Sequence, residues 1–196
     1  MGLSLTTSDG LKETTTLWVL LDVSNSMRGA TIESARNVLN QYVLSQLIYS
    51  GMRISLITFG NVANLLTETP SKIDDFQLPE EFAIGGLCNL SDAVSLCESR
   101  IEEKDKILLL TKGFTTDSYG NQKHVLKNDC HAVILDSSSN RIPVSLGSYF
   151  SGRLKVYNMN LDLCANQEPV LPQRALGLCA LHVECASLLC RLAGHA

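Results

Sequence analysis

At 196 residues, with 45% hydrophobic and 18% charged side chains, the chain is long enough to bury a substantial core and fits one domain of α/β size. Its formal net charge of −4 removes the electrostatic attraction a nucleic-acid partner needs, so DNA and RNA binding are not expected. Neither the composition nor the charge points beyond an ordinary globular protein.

The opening stretch "MGLSLTTSDGLKETT" is a polar leader over residues 1–15. It has no basic start followed by an apolar core, so it is not the pattern of a secretory signal. The glycine and Thr6 of "MGLSLT" match a myristoylation pattern, but so short a match is common by chance. Without an export signal the seven cysteines read as reduced thiols of a cytoplasmic protein, and their odd number and irregular spacing suit core packing better than a disulfide framework.

The unbroken apolar run from Leu17 to Val23 predicts a strand covered on both faces, as in the middle of a parallel sheet. The period then changes: Ile32, Ala35, Leu39, Tyr42, Val43 and Leu47 recur at three- and four-residue steps, predicting an amphipathic helix from Thr31 to Tyr49 that Gly51 stops. "MRISLITFG" predicts a second strand with Ile54, Leu56 and Thr58 on one face and Ser55, Ile57 and Phe59 on the other, and "NVANLLTETP" a short edge strand beside it. Pro70 and Pro79 bracket a loop. A second helix is expected from Ser91 to Ile101, capped by Ser91, with Ala93, Val94, Cys97 and Ile101 on its inner face. "KILLLT", "HAVILD" and "LKVYNM" supply further buried strands.

Strands and helices taking turns in this way indicate an α/β fold with a doubly wound, mostly parallel central sheet flanked by helices. We place this domain at residues 16–160 and treat 161–196 as a C-terminal extension. A helix after Pro172 carries Leu178, Leu181, Cys185, Leu188, Leu189 and Leu192 on one stripe. It also carries Arg174, His182, Glu184 and Arg191, and each charge at mid-bilayer would cost roughly 2.5 to 3.5 kcal/mol. The helix is therefore expected to dock on protein, on its own sheet or as an oligomer contact, and not in a membrane.

In open α/β sheets ligands sit beyond the carboxyl ends of the strands, where the strand order reverses. Asp22, at the end of "WVLLDVSNSM" and followed by Ser24 and Ser26, would be there. "DVSNSMRG" contains neither GxGxxG nor a GK[ST] ending, so a nucleotide loses its usual support.

"DVSNSM" resembles the DxSxS motif of von Willebrand factor type A (vWA) domains. The resemblance runs from about Thr16 to Asp117, because "RISLITFG", "AIGGLCNLSDAV" and "ILLLTKGFTTD" follow in the family's order. It is strongest toward the small bacterial tellurium-resistance-associated vWA proteins. The resemblance implies a Rossmann-like vWA fold in which Asp22, Ser24 and Ser26 begin a metal-ion-dependent adhesion site for Mg²⁺. The family completes such a site with a threonine from a second loop and an aspartate from a third.

This chain departs from that pattern twice. "GGLCN" puts Leu87 at the threonine position, and "TKG" puts Lys112 at the aspartate position. An ammonium about 4 Å from a carboxylate gains on the order of 4 kcal/mol at an effective dielectric of 20, and it would repel a divalent ion. The expectation is therefore a degenerate, metal-free site in which Lys112 serves as counter-ion to Asp22. One alternative turns Lys112 into solvent and leaves the serines to cap the following helix; another keeps Mg²⁺ on Asp22, Ser24 and Ser26, completed through waters by Cys88, Asn89 or Asp117.

By resemblance the function is non-enzymatic binding of a protein partner through the loops at the top of the sheet; the alternatives are Mg²⁺-dependent adhesion-type binding, or a structural subunit that assembles through its C-terminal helix. The residues expected to carry it are Asp22, Ser24, Asn25, Ser26, Leu87, Cys88, Asn89, Lys112 and Phe114. The resemblance further implies a bacterial stress-response or phage-defence setting, with a kinase- or phosphatase-containing module as the partner.

Other chemistry is weaker. "CALHVEC" with Cys190 and His195 invites zinc, but on one helix Cys179, His182 and Cys190 point away from Cys185 and cannot close a tetrahedron with it. Cys88 with His124 or His131 as its base would make a thiol nucleophile, yet spacing establishes no alignment. The carboxylate pairs Asp74–Asp75 and Glu80–Glu81 fall in a polar loop and read as solvated.

Overall fold

The computed structural model describes residues 14–47, 50–113, 124–135 and 144–158. The strands are β1 (Thr16–Asp22), β2 (Arg53–Phe59), β3 (Ala63–Leu65), β4 (Ser71–Lys72), β5 (Lys106–Thr111), β6 (Cys130–Ile134) and β7 (Leu154–Tyr157). They form one sheet in the order β3-β2-β1-β5-β6-β7, with β4 also paired to β2. β2, β1, β5, β6 and β7 run parallel, and only the edge strands β3 and β4 are antiparallel.

β1 lacks hydrophobic alternation because each of its faces feeds a different core. Leu17, Val19 and Leu21 pack with Ile32, Ala35, Val38, Leu39, Val43 and Leu47 on one side. Trp18 and Leu20 pack with Leu90, Ala93, Val94 and Cys97 on the other. A strand side chain points to alternate faces, so covering both faces makes every position apolar. β2 obeys the same rule: Ile54 and Leu56 enter the first core, and Ile57 and Phe59 the second.

The helical layer on the first face begins with α1 (Ala30–Asn37), widens into a π-helical segment (Val38–Leu44) and closes with α2 (Ser45–Leu47). The helical period expected from Thr31 to Tyr49 is thus present as far as Leu47, with a locally looser winding, and Tyr49 lies outside the described residues. On the second face α3 (Leu90–Glu98) starts and ends earlier than expected. Its cap is not Ser91. The Asn89 side chain accepts from the Asp92 amide at 3.3 Å, three residues on, the geometry an N-cap requires.

The segment between Pro70 and Pro79 is more ordered than a loop. Ile73 is buried, and anchoring it draws Ser71–Lys72 onto β2 and leaves a 3₁₀ turn at Ile73–Asp75. Phe76, Leu78, Phe82 and Ile84 then lie as a strap against the first core. Arg36 fastens it, donating to the carbonyls of Pro79 at 2.6 Å and Glu80 at 2.7 Å while its guanidinium lies 5.0 Å over the Phe82 ring. Asp74, Asp75, Glu80 and Glu81 are exposed, as expected of solvated carboxylates.

At the opposite end of the sheet from Asp22, the buried Asp105 accepts from the Thr16 amide at 2.8 Å, the Trp18 indole at 3.0 Å and the Glu102 amide at 3.0 Å. Losing the carboxylate strands these donors, each at about 1–3 kcal/mol if left unsatisfied. Asp105→Ala should therefore lower unfolding stability by about 2–4 kcal/mol. Trp18 is the single tryptophan, so its fluorescence should report the shifted urea midpoint, and an unshifted midpoint would show that the contacts carry no net stability.

Burial pushes the thiols of Cys97 and Cys130 well above their ordinary range, so both pack as small neutral hydrophobes. No helix among the described residues is long and apolar enough to cross a membrane. Residues 1–13 of the leader, Phe114, Asp117 and the extension with its helix after Pro172 lie outside the described residues.

Candidate functional site

Asp22 ends β1, which is flanked by β2 on one side and β5 on the other, so the carboxylate sits where the sheet's winding reverses. It is 0% exposed. Its Oδ1 accepts from the Ser24 amide at 2.8 Å. Its Oδ2 accepts from the Thr111 hydroxyl at 2.8 Å and the Cys88 thiol at 3.3 Å. One buried anion thereby ties together the loop after β1, the loop before α3 and the end of β5. Hydrogen bonds to a charged acceptor are about twice as strong as neutral ones, which suits the group to this role.

The loop before α3 is stitched to its neighbours by backbone as well. Gly85 donates to the Val23 carbonyl at 2.9 Å, Asn25 to the Gly86 carbonyl at 3.1 Å, and Asn89 to the Gly60 carbonyl at 2.9 Å. The Leu87 amide donates to the Asn61 side chain at 2.7 Å. That close approach requires a glycine next to Leu87: Gly86 has φ +77°, and a Cβ there would meet Asn61 Cγ at 2.4 Å.

Ser24 Oγ and Ser26 Oγ lie 2.8 Å apart and hydrogen-bond each other, Ser24 buried and Ser26 exposed. The Asn25 side chain accepts from the Arg28 guanidinium at 3.1 Å. Leu87 stands 62% exposed above the buried Cys88. The structure therefore gathers Asp22, Ser24, Asn25, Ser26, Leu87, Cys88, Asn89 and Lys112 at the carboxyl end of the sheet.

The expected Lys112–Asp22 ion pair is not formed. Among the described residues the ion pairs are Arg36–Glu33, Lys104–Glu102 and His124–Glu98, and Lys112 is half-buried outside all of them. The reason is register. Leu21 pairs with Leu110, so the next residue of β5, Thr111, falls beside Asp22 and takes its lone pair, and Lys112 is one residue too far along. Thr111 and Asn61 were missed by sequence reasoning. Only the strand register could have found Thr111, and no local signal marks Asn61.

Magnesium seeks an octahedron of oxygens, and the described residues at this end of the sheet offer few that are free, while Asp117 lies outside them. Both oxygens of Asp22 are engaged in holding loops, Leu87 offers no oxygen, and Lys112 brings a positive charge. That leaves the paired hydroxyls of Ser24 and Ser26. Among the described residues no cluster of three or more His, Cys, Asp or Glu could hold a metal ion.

A thiol nucleophile finds little help. Cys88 donates to the Asp22 carboxylate. The histidines expected as its base are placed elsewhere: His124 pairs with Glu98, and His131 hydrogen-bonds the Tyr157 hydroxyl at 3.2 Å with the rings stacked.

No family model matches the chain, and neither does any curated protein. Solved structures do. The ArnB paralog VWA2 from Sulfolobus acidocaldarius is similar at 23% identity and a TM-score of 0.52, over 74% of this chain and 40% of that one. A von Willebrand factor type A protein from Catenulispora acidiphila is similar at 10% identity and a TM-score of 0.55, over 92% of this chain and 43% of that one. The fold is that of a vWA domain. The D319A mutant of the PilB minor pilin from Streptococcus sanguinis matches at 12% identity with a TM-score of 0.58, over 92% of this chain and 61% of that one. The chain thus spans less than two thirds of each of these proteins. On the vWA fold the Asp22 cluster occupies the loop end of the sheet, beyond the carboxyl ends of its parallel strands.

Proposed function

We propose that this vWA-fold protein is a non-enzymatic adaptor that holds a protein partner through the loops at the top of its sheet, without metal. The carrying observation is the buried Asp22, both of whose oxygens accept from protein donors, next to an exposed Leu87. A carboxylate held on both oxygens by protein donors shapes the loops, and the exposed side chains around it are left to meet a partner. Apolar groups surrounded by polar ones suit the core of an interface.

The resemblance of "DVSNSM", "GGLCN" and "TKG" to the tellurium-resistance-associated group supports a bacterial stress-response or phage-defence setting in the cytoplasm. It also supports a kinase- or phosphatase-containing module as the partner. Photo-crosslinking in cells tests the adaptor role. A benzophenone amino acid at Leu87 or at Val62 should yield a protein adduct that survives chelation of divalent ions, whereas the same group at the exposed Glu103, at the far end of the sheet, should not. Adducts from Glu103 alone, or adducts abolished by chelator, would rule the proposal out.

A further inference from the structure

Strand β3 ends the sheet beside β2, and among the described residues no strand lies beyond it. The ladder fixes which of its backbone groups face outward. Leu66 donates to the Leu56 carbonyl at 2.9 Å and the Val62 carbonyl accepts from Gly60 at 3.2 Å, so residues 62, 64 and 66 turn their backbone groups toward β2. In an antiparallel ladder such pairs alternate with pairs that turn away from each other. Ala63, opposite Phe59, and Leu65, opposite Ile57, therefore direct their N–H and carbonyl groups to the open side. Of these four groups only the Ala63 amide meets a described partner, the exposed carboxylate of Asp92 at 3.1 Å.

The edge is apolar as well. Ala63 and Leu65 pack against the core on the α3 side, so Val62 and Leu66, which alternate with them, fall on the opposite face. They are 59% and 44% exposed. Sheets commonly blunt an edge by keeping it short or by placing lysine on it. β3 is three residues long, which limits the strength of pairing, but neither residues 54–71 nor residues 85–99 contain a lysine or arginine. The charge bordering the edge is that of Asp92.

That charge selects the occupant. A second copy pairing antiparallel about Asn64 would set each Ala63 against the other copy's Leu65 and bring together the two Asp92 carboxylates that hold the Ala63 amides. Like charges oppose such a pairing, and a cation is drawn to the same place.

We infer that the β3 edge takes an extended segment of another protein, running antiparallel, with a basic side chain opposite Ala63 and aliphatic ones opposite Val62 and Leu66. The residue opposite Leu65 exchanges two backbone hydrogen bonds with it, and the residue opposite Ala63 donates to the Ala63 carbonyl. Its basic side chain lies on the α3 side of the sheet, as Ala63 does, and meets Asp92. Main-chain bonds supply the affinity and alternate side chains the selectivity. This side of the sheet is a surface apart from the loop contact proposed above, and neither depends on the other.

The probe is acetyl-Thr-Val-Thr-Thr-Arg-Val-Thr-amide, whose central Val-Thr-Thr-Arg-Val spans from Leu66 to Val62. Titrated to about 1 mM into the full ¹⁵N-labelled chain, it should shift the amides of Val62–Leu66 and Asp92. N-methylation of the Thr opposite Leu65 removes a ladder donor and should weaken binding about tenfold. N-methylation of the Thr opposite Asn64, whose amide points to solvent, should cost no more than about twofold. Glu in place of Arg should bind about fivefold more weakly, and Asp92→Asn, which keeps an acceptor for Ala63, should erase that preference. Leu66→Ser should lose about threefold. No shifts at about 1 mM, equal binding of the two N-methylated peptides, unchanged affinity in Leu66→Ser, or an Arg preference that is absent or survives Asp92→Asn would overturn the inference. So would concentration-dependent shifts of the same amides without peptide, which would assign the edge to a second copy. A silent titration with Leu87 crosslinks intact would remove the edge site and leave the adaptor role standing; a bound peptide without Leu87 crosslinks would do the reverse.

Discussion

Replacing Asp22 by alanine should lower the stability of the fold by about 3–5 kcal/mol, the range for removing a buried charge that its partners depend on. The carboxylate is inaccessible, and its loss leaves the Ser24 amide, the Thr111 hydroxyl and the Cys88 thiol without their acceptor at the junction of three loops. Asp22→Asn separates shape from charge. It retains one acceptor oxygen but turns an NH₂ group toward a donor, so it should fall between wild type and alanine. Urea unfolding with an unchanged slope would attribute the loss to stability alone. Addition of Mg²⁺ should rescue neither variant. A loss below about 1 kcal/mol for Asp22→Ala, or stabilisation of the wild type by Mg²⁺, would show that the carboxylate is not a structural tie.

The second large effect is a gain. Wild-type protein should give no binding heat with Mg²⁺ or Mn²⁺ at about 1 mM, a concentration corresponding to about −4 kcal/mol of binding. Leu87→Thr combined with Lys112→Asp supplies an oxygen and exchanges a cation for an anion, and the double variant should bind Mg²⁺ at about millimolar affinity or tighter. Leu87→Thr alone should not, because a divalent ion within about 4 Å of an ammonium meets roughly 8 kcal/mol of repulsion at an effective dielectric of 20. Calorimetric heat from the wild type would show that Ser24 and Ser26 suffice as a metal platform. A silent double variant would show that the engaged Asp22 cannot be freed.

The architecture was largely legible beforehand because hydrophobic period is a local property. β1, β2, β5, β6 and β7 appear where apolar runs or alternation place them, and the helical period after Ile32 survives a π-helical interlude. The misses are local competitions decided by neighbours. Asn89 outcompetes Ser91 as the cap of α3, and burial of Ile73 turns an expected loop into β4 and a 3₁₀ turn.

At the site, the donor inventory was readable residue by residue: a carboxylate and two hydroxyls after β1, an apolar Leu87 in "GGLCN", and Lys112 just past β5. Only the tertiary structure decided which of these meet. Asp22 is satisfied by Cys88 and Thr111, 66 and 89 residues away, and not by the lysine that charge alone would choose. The physical reason is that strand register places side chains to within one residue, and a hydrogen bond's reach is shorter than that step.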